Sequence, residues 1–451
     1  MRRRALLGRG LATGVSTWAG TSLIDTAAGA PAITSLGALG GLAGLLGLTP
    51  EVADAATASA AGSVAATPAS TMQRRVLAFP RDHGSHPAQA IEWWYLTEWL
   101  APPGEADPAW GFQLTFFRSP GPAPAPHPSR FAASQVLMAH AALTELGDTR
   151  SGAGTSTTGR LSHDQRITRV GMGLAEASEA DTAVLLNVAG RPWRLSREAG
   201  AAGSIYHASF DLALGREAGA ARVGLKLDLS ASQPPLLQGE SGWSRKGPEP
   251  DQASFYVSEP QLQVSGELLR GGKTTAVRGR AWLDHEWSDQ ILPPEAQGWD
   301  WLGINLFDGS ALTVFRLRRK AGGAGKGSGS GAGAAPPPVS VGNEAALWAG
   351  GSWRGIAGSS RSFAPTDVGL DPVRHWTSPT SAATYPVEWR LRTPAGQFML
   401  RALADAQELD ARASTGTVYW EGLAELLGPA SGERIGLGYL EMTGYAGRPA
   451  L

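Results

Sequence analysis

The segment "RAWLDHEWSDQ" at 280–290 sets Asp284, His285 and Glu286 in a row between Trp282 and Trp287. These three side chains exchange protons readily, and flanking indoles that exclude water would raise a carboxyl pKa or lower that of an imidazole. In a strand the side chains alternate, so Trp282, Asp284 and Glu286 share one face and Leu283, His285 and Trp287 the other. A cavity on the His285 face would gain an imidazole beside an indole. A cavity on the Asp284 face would gain two carboxyls about 7 Å apart, one of them protonated by burial. The alternative without chemistry is a surface strand with its charges outward. We expect His285 and Trp287 to look into a cavity, with Asp284 and Glu286 at its mouth or against a neighbouring barrel.

"QAIEWWYLTEWL" at 89–100 poses the same question, with Glu92, Trp94, Leu96 and Glu98 on one face and Trp93, Tyr95, Thr97 and Trp99 on the other. Glu92 reads equally as a buried acceptor for an indole N–H and as a catalytic group. His140, in "LMAHAALTEL", stands among small apolar residues and reads as a core histidine or a ligand contact. His83 and His86 in "PRDHGSHP" are a weak metal pair, and no metal or other cofactor is expected. Arg245 and Lys246 lie in the turn-rich "SGWSRKGPEP", where they could hold an anionic head group, stabilise an oxyanion or simply be solvated. No G-x-S-x-G, H-E-x-x-H or Walker A pattern occurs. The absence of cysteine excludes disulfides, thiol nucleophiles and thiolate zinc.

The elements that must carry these residues are short. "GFQLTFFR", "IYHASFDLAL", "RVGLKLDLS", "ALTVFRLRR" and "YPVEWRLRTP" alternate or are β-branched and aromatic, with Gly, Pro and Asp clusters between them. The pattern predicts a mainly β protein of two consecutive barrels, 76–261 and 262–451, with a low-complexity disordered loop at 321–338. A faint echo supports duplication: Trp93, Trp94 and "LTFFR" (114–118) are matched by Trp299, Trp301 and "LTVFR" (312–316). The 16 tryptophans suit cavities or layered aromatic packing. A formal net charge of -1 gives no reason to expect nucleic acid as a partner. Residues 1–55, with Arg2, Arg3 and Arg4 ahead of a Gly/Ala-rich run that carries few charges, read as a twin-arginine export signal cleaved near Ala55. A retained membrane anchor is the other reading. Residues 56–75 would be a disordered leader, and the mature protein periplasmic or secreted.

Taken together, "FPRDHGSHP", "IEWWYLTEWL", "LMAHAALTE", "AWLDHEWSDQIL", "GWDWLGINLFDGS", "YWEGLAEL" and "GYLEMTGY" resemble the AttH-like proteins, relatives of carotenoid 1,2-hydratases described as lipocalin-like secreted hydrolases. The resemblance runs from about Phe79 to Tyr445 and implies two lipocalin-like barrels. It places hallmark positions on Glu92, Trp93, Trp94, His140, Asp284, His285, Glu286, Trp287, Trp299, Asp300 and Trp301. His285 and Trp287 match a His-x-Trp pair implicated in hydration. A later Tyr-x-Asp has no clean match, Asp308 reading as a turn residue. The implied activity is cofactor-independent hydration or hydrolysis of a hydrophobic isoprenoid or lipid-like molecule. Asp284 or Glu286 would act as acid, Trp287, Trp94 or Trp301 would stabilise a cation and His285 would act on water. The alternative is a non-catalytic lipid carrier working with a lipid-exporting ABC transporter.

Overall fold

A computed structural model describes residues 72–449 apart from 124–126, 130, 148–158, 216, 218, 291, 321–345 and 430–431. The expected export signal and the loop at 321–338 lie outside the described residues. Apart from two single-turn 3-10 segments, Arg81–His83 and Pro365–Asp367, the regular structure described is all strand. The first sheet holds β1 (Ile91–Ala101), β2 (Trp110–Pro120), β3 (Gln135–Glu145), β4 (Gly159–Arg169), β5 (Ala175–Ala177), β6 (Ala183–Val188), β7 (Arg191–Gly200), β8 (Gly203–Ala213) and β9 (Arg222–Ser230). It is completed by β10 (Leu236–Leu237), β11 (Trp243–Arg245), β12 (Ala253–Arg270) and β13 (Lys273–Ser288). The second holds β14 (Ala296–Leu306), β15 (Ala311–Arg319), β16 (Ala346–Arg354), β17 (Ser360–Phe363) and β18 (Gly369–Thr377). It continues through β19 (Thr384–Thr393), β20 (Gly396–Ala402), β21 (Glu408–Ala411), β22 (Thr417–Leu427) and β23 (Arg434–Thr443).

In the first sheet the order is β4-β3-β2-β1-β13-β12-β9-β8-β7-β6-β5, and in the second β17-β16-β15-β14-β23-β22-β20-β19-β18. Every pairing is antiparallel, so each chain segment folds as a meander closed by a late hairpin laid against its first strand. Each sheet curls round its own apolar core, giving two consecutive lipocalin-like barrels. Alternation shows why. In β9, Val223, Leu225, Leu227 and Leu229 point to the core while Lys226 and Asp228 point to solvent. By contrast β1 and β3, and the second half of β13, are buried on both faces. One face meets the barrel's own core and the other meets the second barrel.

Two expectations are corrected. The first sheet extends to Ser288 and the second starts at Ala296, so a division at 261/262 would cut through β12. That long hairpin is what completes the first barrel. Residues 72–75 are not a free leader. The Met72 amide donates to Asp289 Oδ2 (2.7 Å), Arg74 pairs with Glu240 (2.6 Å) and Arg75 with Asp82 (2.6 Å).

The echo between the halves is carried into register. Glu92 on β1 lies opposite Arg118 on β2, and Asp300 on β14 lies opposite Arg316 on β15. Trp93 and Trp301 follow as equivalents, opposite Phe117 and Phe315 and, on their other side, Glu286 and Glu441.

Candidate functional site: a cavity between the barrels

A cavity opens where the two-sided strands face each other, and not inside either barrel. Its volume, counted at water centres, is about 110 Å³, against roughly 10–15 Å³ for one water on the same measure. The walls are aromatic: Trp93, Phe117, Trp299, Trp301 and Phe315 line it. Into this apolar space point four carboxyls, Asp284 and Glu286 from β13, Glu421 from β22 and Glu441 from β23. Alternation fixes the arrangement. Glu421 and Glu441 are direct cross-strand partners, as are Tyr256 and Glu286.

Each carboxyl has a different surrounding. Asp284 accepts from Ser258 Oγ (2.5 Å), Tyr256 Oη (2.6 Å) and Trp282 Nε1 (2.7 Å). Tyr256 Oη itself accepts from Trp301 Nε1 (2.8 Å), so indole, phenol and carboxylate form a chain. Burial nevertheless pushes Asp284 up to about 7, with the nearby Glu286 adding to the rise. Glu286 is ion-paired to Lys246 (2.9 Å) and accepts from Ser254. Burial likewise raises Glu421 to about 7, against the opposing effects of the Arg160 charge and of hydrogen bonds from Tyr95 and Tyr419. For Glu441 burial and then the Glu421 charge push the pKa well above the carboxylate range, opposed only in part by the Trp299 indole. These effects favour the neutral, proton-bearing form of Glu441. His140 is held down to about 3, first by burial, and is neutral; its ring bonds Tyr419 Oη (2.6 Å) and Ser414 Oγ (2.8 Å) of the second barrel.

The sequence-derived candidates divide between the two faces. Trp93, His140, Lys246, Asp284, Glu286, Trp299 and Trp301 line the cavity. His285 and Trp287 do not: the expectation that they face it is overturned, because alternation turns them toward the first barrel's own interior together with Glu92 and Trp94. There they form a closed polar plug. Glu92 Oε1 lies 2.8 Å from His86 Nδ1 and 2.9 Å from His285 Nε2, and Glu92 Oε2 accepts from Arg118 Nε (3.1 Å). His86 stacks on Trp287 (3.7 Å between centroids) and His285 on Trp94 (4.7 Å). Burial works against it, but the bonds from His285 and His86 hold Glu92 well below the usual carboxylate range. His86, Glu92 and His285 together have donor types and spacing that a metal could use. The Arg118 guanidinium bonded to Glu92 already supplies the positive charge, and the ring nitrogens sit at hydrogen-bond distance from one carboxylate oxygen, so the set reads as a self-satisfied network.

Arg245 does not reach the cavity; it lies over Trp348 (4.8 Å) and donates to the Gly247 and Pro248 carbonyls. Asp300 is also turned away, clamped by Arg316 (2.7 Å) as the counterpart of Glu92. The sequence reading missed Tyr95, Tyr256, Tyr419, Glu421 and Glu441. The signal was present: in "VYWEGLAEL" and "GYLEMTGY", Tyr419 and Glu421, and Tyr439 and Glu441, stand two apart on one strand face.

Comparison with known proteins agrees with this architecture. The chain is similar to the crystal structure of a protein classed as AttH from Nitrosomonas europaea, at 39% identity and a TM-score of 0.64, over 82% of this chain and 98% of that one. It shares its fold with kievitone hydratase from Nectria haematococca at 12% identity and a TM-score of 0.50, over 83% of this chain and 95% of that one. The AttH-like family model matches residues 70–335 and 340–445, and the chain belongs to that family. None of the curated proteins matches.

Proposed function

We propose that the protein is a cofactor-independent hydratase that adds water across a carbon–carbon double bond of a hydrophobic, isoprenoid or lipid-like molecule. The observation that carries this is the meeting of Glu441, a carboxyl whose neutral form its surroundings favour, with an aromatic wall and further carboxyl groups in one cavity. Protonating an alkene carbon needs an acid in a site that solvates the cation without capturing the proton. Glu441 gives its proton to one alkene carbon, the π pair forming the C–H bond. The cation left on the other carbon lies against Trp93, Trp299 and Trp301, whose π faces contribute on the order of 2 kcal/mol each when desolvated. Water forms the C–O bond and loses its proton to an ionised carboxyl of the cavity. Lys246, ion-paired with Glu286, keeps the several carboxyls from repelling one another into an open state.

The cavity admits a branched five-carbon terminus more readily than a whole long-chain lipid, so the reacting end enters while the remainder stays outside. The kievitone hydratase likeness supports the fold on which this chemistry is placed, and nothing finer. Ester hydrolysis is the weaker reading, because the hydroxyl paired with an imidazole on the cavity wall, Tyr419 with His140 (2.6 Å), is a phenol whose ionisation burial disfavours. We place the reaction outside the cytoplasm, on the strength of the basic, Gly/Ala-rich start of the chain.

The test is incubation with prenylated alkenes in H₂¹⁸O, followed by mass spectrometry. Wild type should produce a tertiary alcohol carrying one ¹⁸O, and Glu441→Gln should lose at least about 10²-fold in kcat, the scale of a general acid. Stoichiometric retention of unchanged alkene by wild type would instead identify a lipid carrier.

A further inference from the structure

Behind Glu421 lies a group of buried polar atoms that no protein atom satisfies. Among the described residues, Glu421 Oε1, Gln113 Oε1, Thr97 Oγ1, Tyr439 Oη and both Nε and Nη1 of Arg160 have no hydrogen-bond partner. The residues Thr97, Gln113, Glu421 and Tyr439 are themselves almost fully buried. Strand register brings them together. Thr97 lies opposite Gln113, Gly111 opposite Thr144, and Thr144 opposite Arg160, so all point from one face of β1 to β4. The second barrel closes the space: Tyr439 Oη rests 3.3 Å from where a Gly111 Cβ would stand, and Arg160 Nη2 donates to the Glu421 carbonyl (2.8 Å). Gly111 is thus the gap into which the phenol fits.

Six unsatisfied buried atoms in one place would cost several kcal/mol together if left dry. They include donors (Arg160, Tyr439, Thr97) and acceptors (Glu421, Gln113), the mixture that a water completes and an anion does not. Glu421 and Gln113 also line the cavity, so this polar cluster adjoins it. We propose that the cluster binds the water that is added in the reaction, held on Glu421 Oε1 and positioned by Arg160, Tyr439 and Gln113.

This rests on the hydratase reading and gives it direction. The nucleophile waits on the polar side while the alkene enters along the aromatic side. As the water oxygen forms the C–O bond, its proton passes to Glu421. Glu441, the direct cross-strand partner that protonated the alkene, is then reloaded from Glu421, so the proton count closes within one pair. Arg160, Tyr439 and Gln113 are positioning residues; Glu421 is the base.

High-resolution crystallography of the full chain at neutral pH tests the site without any turnover. The expected result is at least one ordered water within hydrogen-bond distance of Glu421 Oε1 and of Tyr439 or Arg160. A dry cluster, or one collapsed so that Tyr439 bonds Glu421 directly, overturns the proposal. Tyr439→Phe should displace that water and lower kcat by 10-fold or more, with the KM for alkene within error of wild type. An unchanged kcat with the water lost would remove it as the nucleophile. If wild type hydrates no alkene although the water is present, the hydratase reading fails while the water site stands.

Discussion

At the scale of single residues the cavity is defined by carboxyls whose protons are governed by burial. Asp284 and Glu421 titrate near 7 in the folded protein, against about 3.9 and 4.3 for the unfolded chain. Between those values the folded state keeps protons that the unfolded state has released, so stability falls as pH rises from about 4 to 7. Asp82 and Glu92 have the opposite sign. Despite burial, their bonds to Arg75 and His86, and to His285 and His86, hold their pKa values below the usual range, so the stability they contribute is lost as pH falls below about 4. Urea unfolding across pH 4–8 reads the net of these contributions and of the buried His83 and His140, both held down to about 3, which oppose Asp284 and Glu421 below about pH 6.5. Asp284→Asn should flatten the limb between pH 4 and 7, recovering up to about 4 kcal/mol at pH 7.5. A limb as steep in the variant as in wild type would mean that Asp284 does not carry the shift.

Among the strands, one residue pair recurs. A carboxylate on the first strand of each barrel meets an arginine on the second, Glu92 with Arg118 and Asp300 with Arg316. Both pairs are buried, and breaking one leaves a charge without its partner, which costs about 3–5 kcal/mol. Arg118→Leu should lower stability by that amount, and Glu92→Gln in the same chain should restore part of it; calorimetric or denaturant melts of the single and double variants report both. The "LTFFR" and "LTVFR" echo was legible in the sequence because it lies within a few residues. So was the strand class, because alternation is local. Which face of "AWLDHEWS" met the cavity was not legible. Alternation divides Asp284 from His285 but cannot say which side a second barrel will cover, and here the outer face of the first barrel became the wall of the site. Glu421 and Glu441 passed unnoticed for the same reason: each stands in an apolar strand whose other side fills a core, and only the approach of β1 and β3 makes them part of a site.

For the whole molecule, the join between barrels walls the proposed site and is itself polar. Asn305 on β14 donates to the Ala281 carbonyl (3.1 Å) and to Glu98, and accepts from the Gln261 amide (2.7 Å) where β12 breaks register. Gln261 in turn donates to the Leu306 and Ser310 carbonyls (2.9 and 2.7 Å). Replacing Asn305 by Ala removes three buried bonds and leaves their partners unsatisfied, which should cost about 1–3 kcal/mol for each group left unpaired. A thermal melt should move down accordingly, with loss of turnover at temperatures below the main transition as the cavity opens first. A melt within error of wild type would show that the join is held by its aromatic contacts alone.

The equivalence of Glu286 and Glu441 has a further meaning. In a symmetric pair of identical barrels these two glutamates would be interchangeable, each with the same surroundings. A single chain is free of that constraint: Lys246 sits beside Glu286, while Glu441 has an indole near it and a second carboxyl across the ladder. Two like halves in one chain can thus differ at equivalent positions, and that difference is what would give the proposed reaction its direction, with a cation beside one glutamate and, among the described residues, none beside its counterpart.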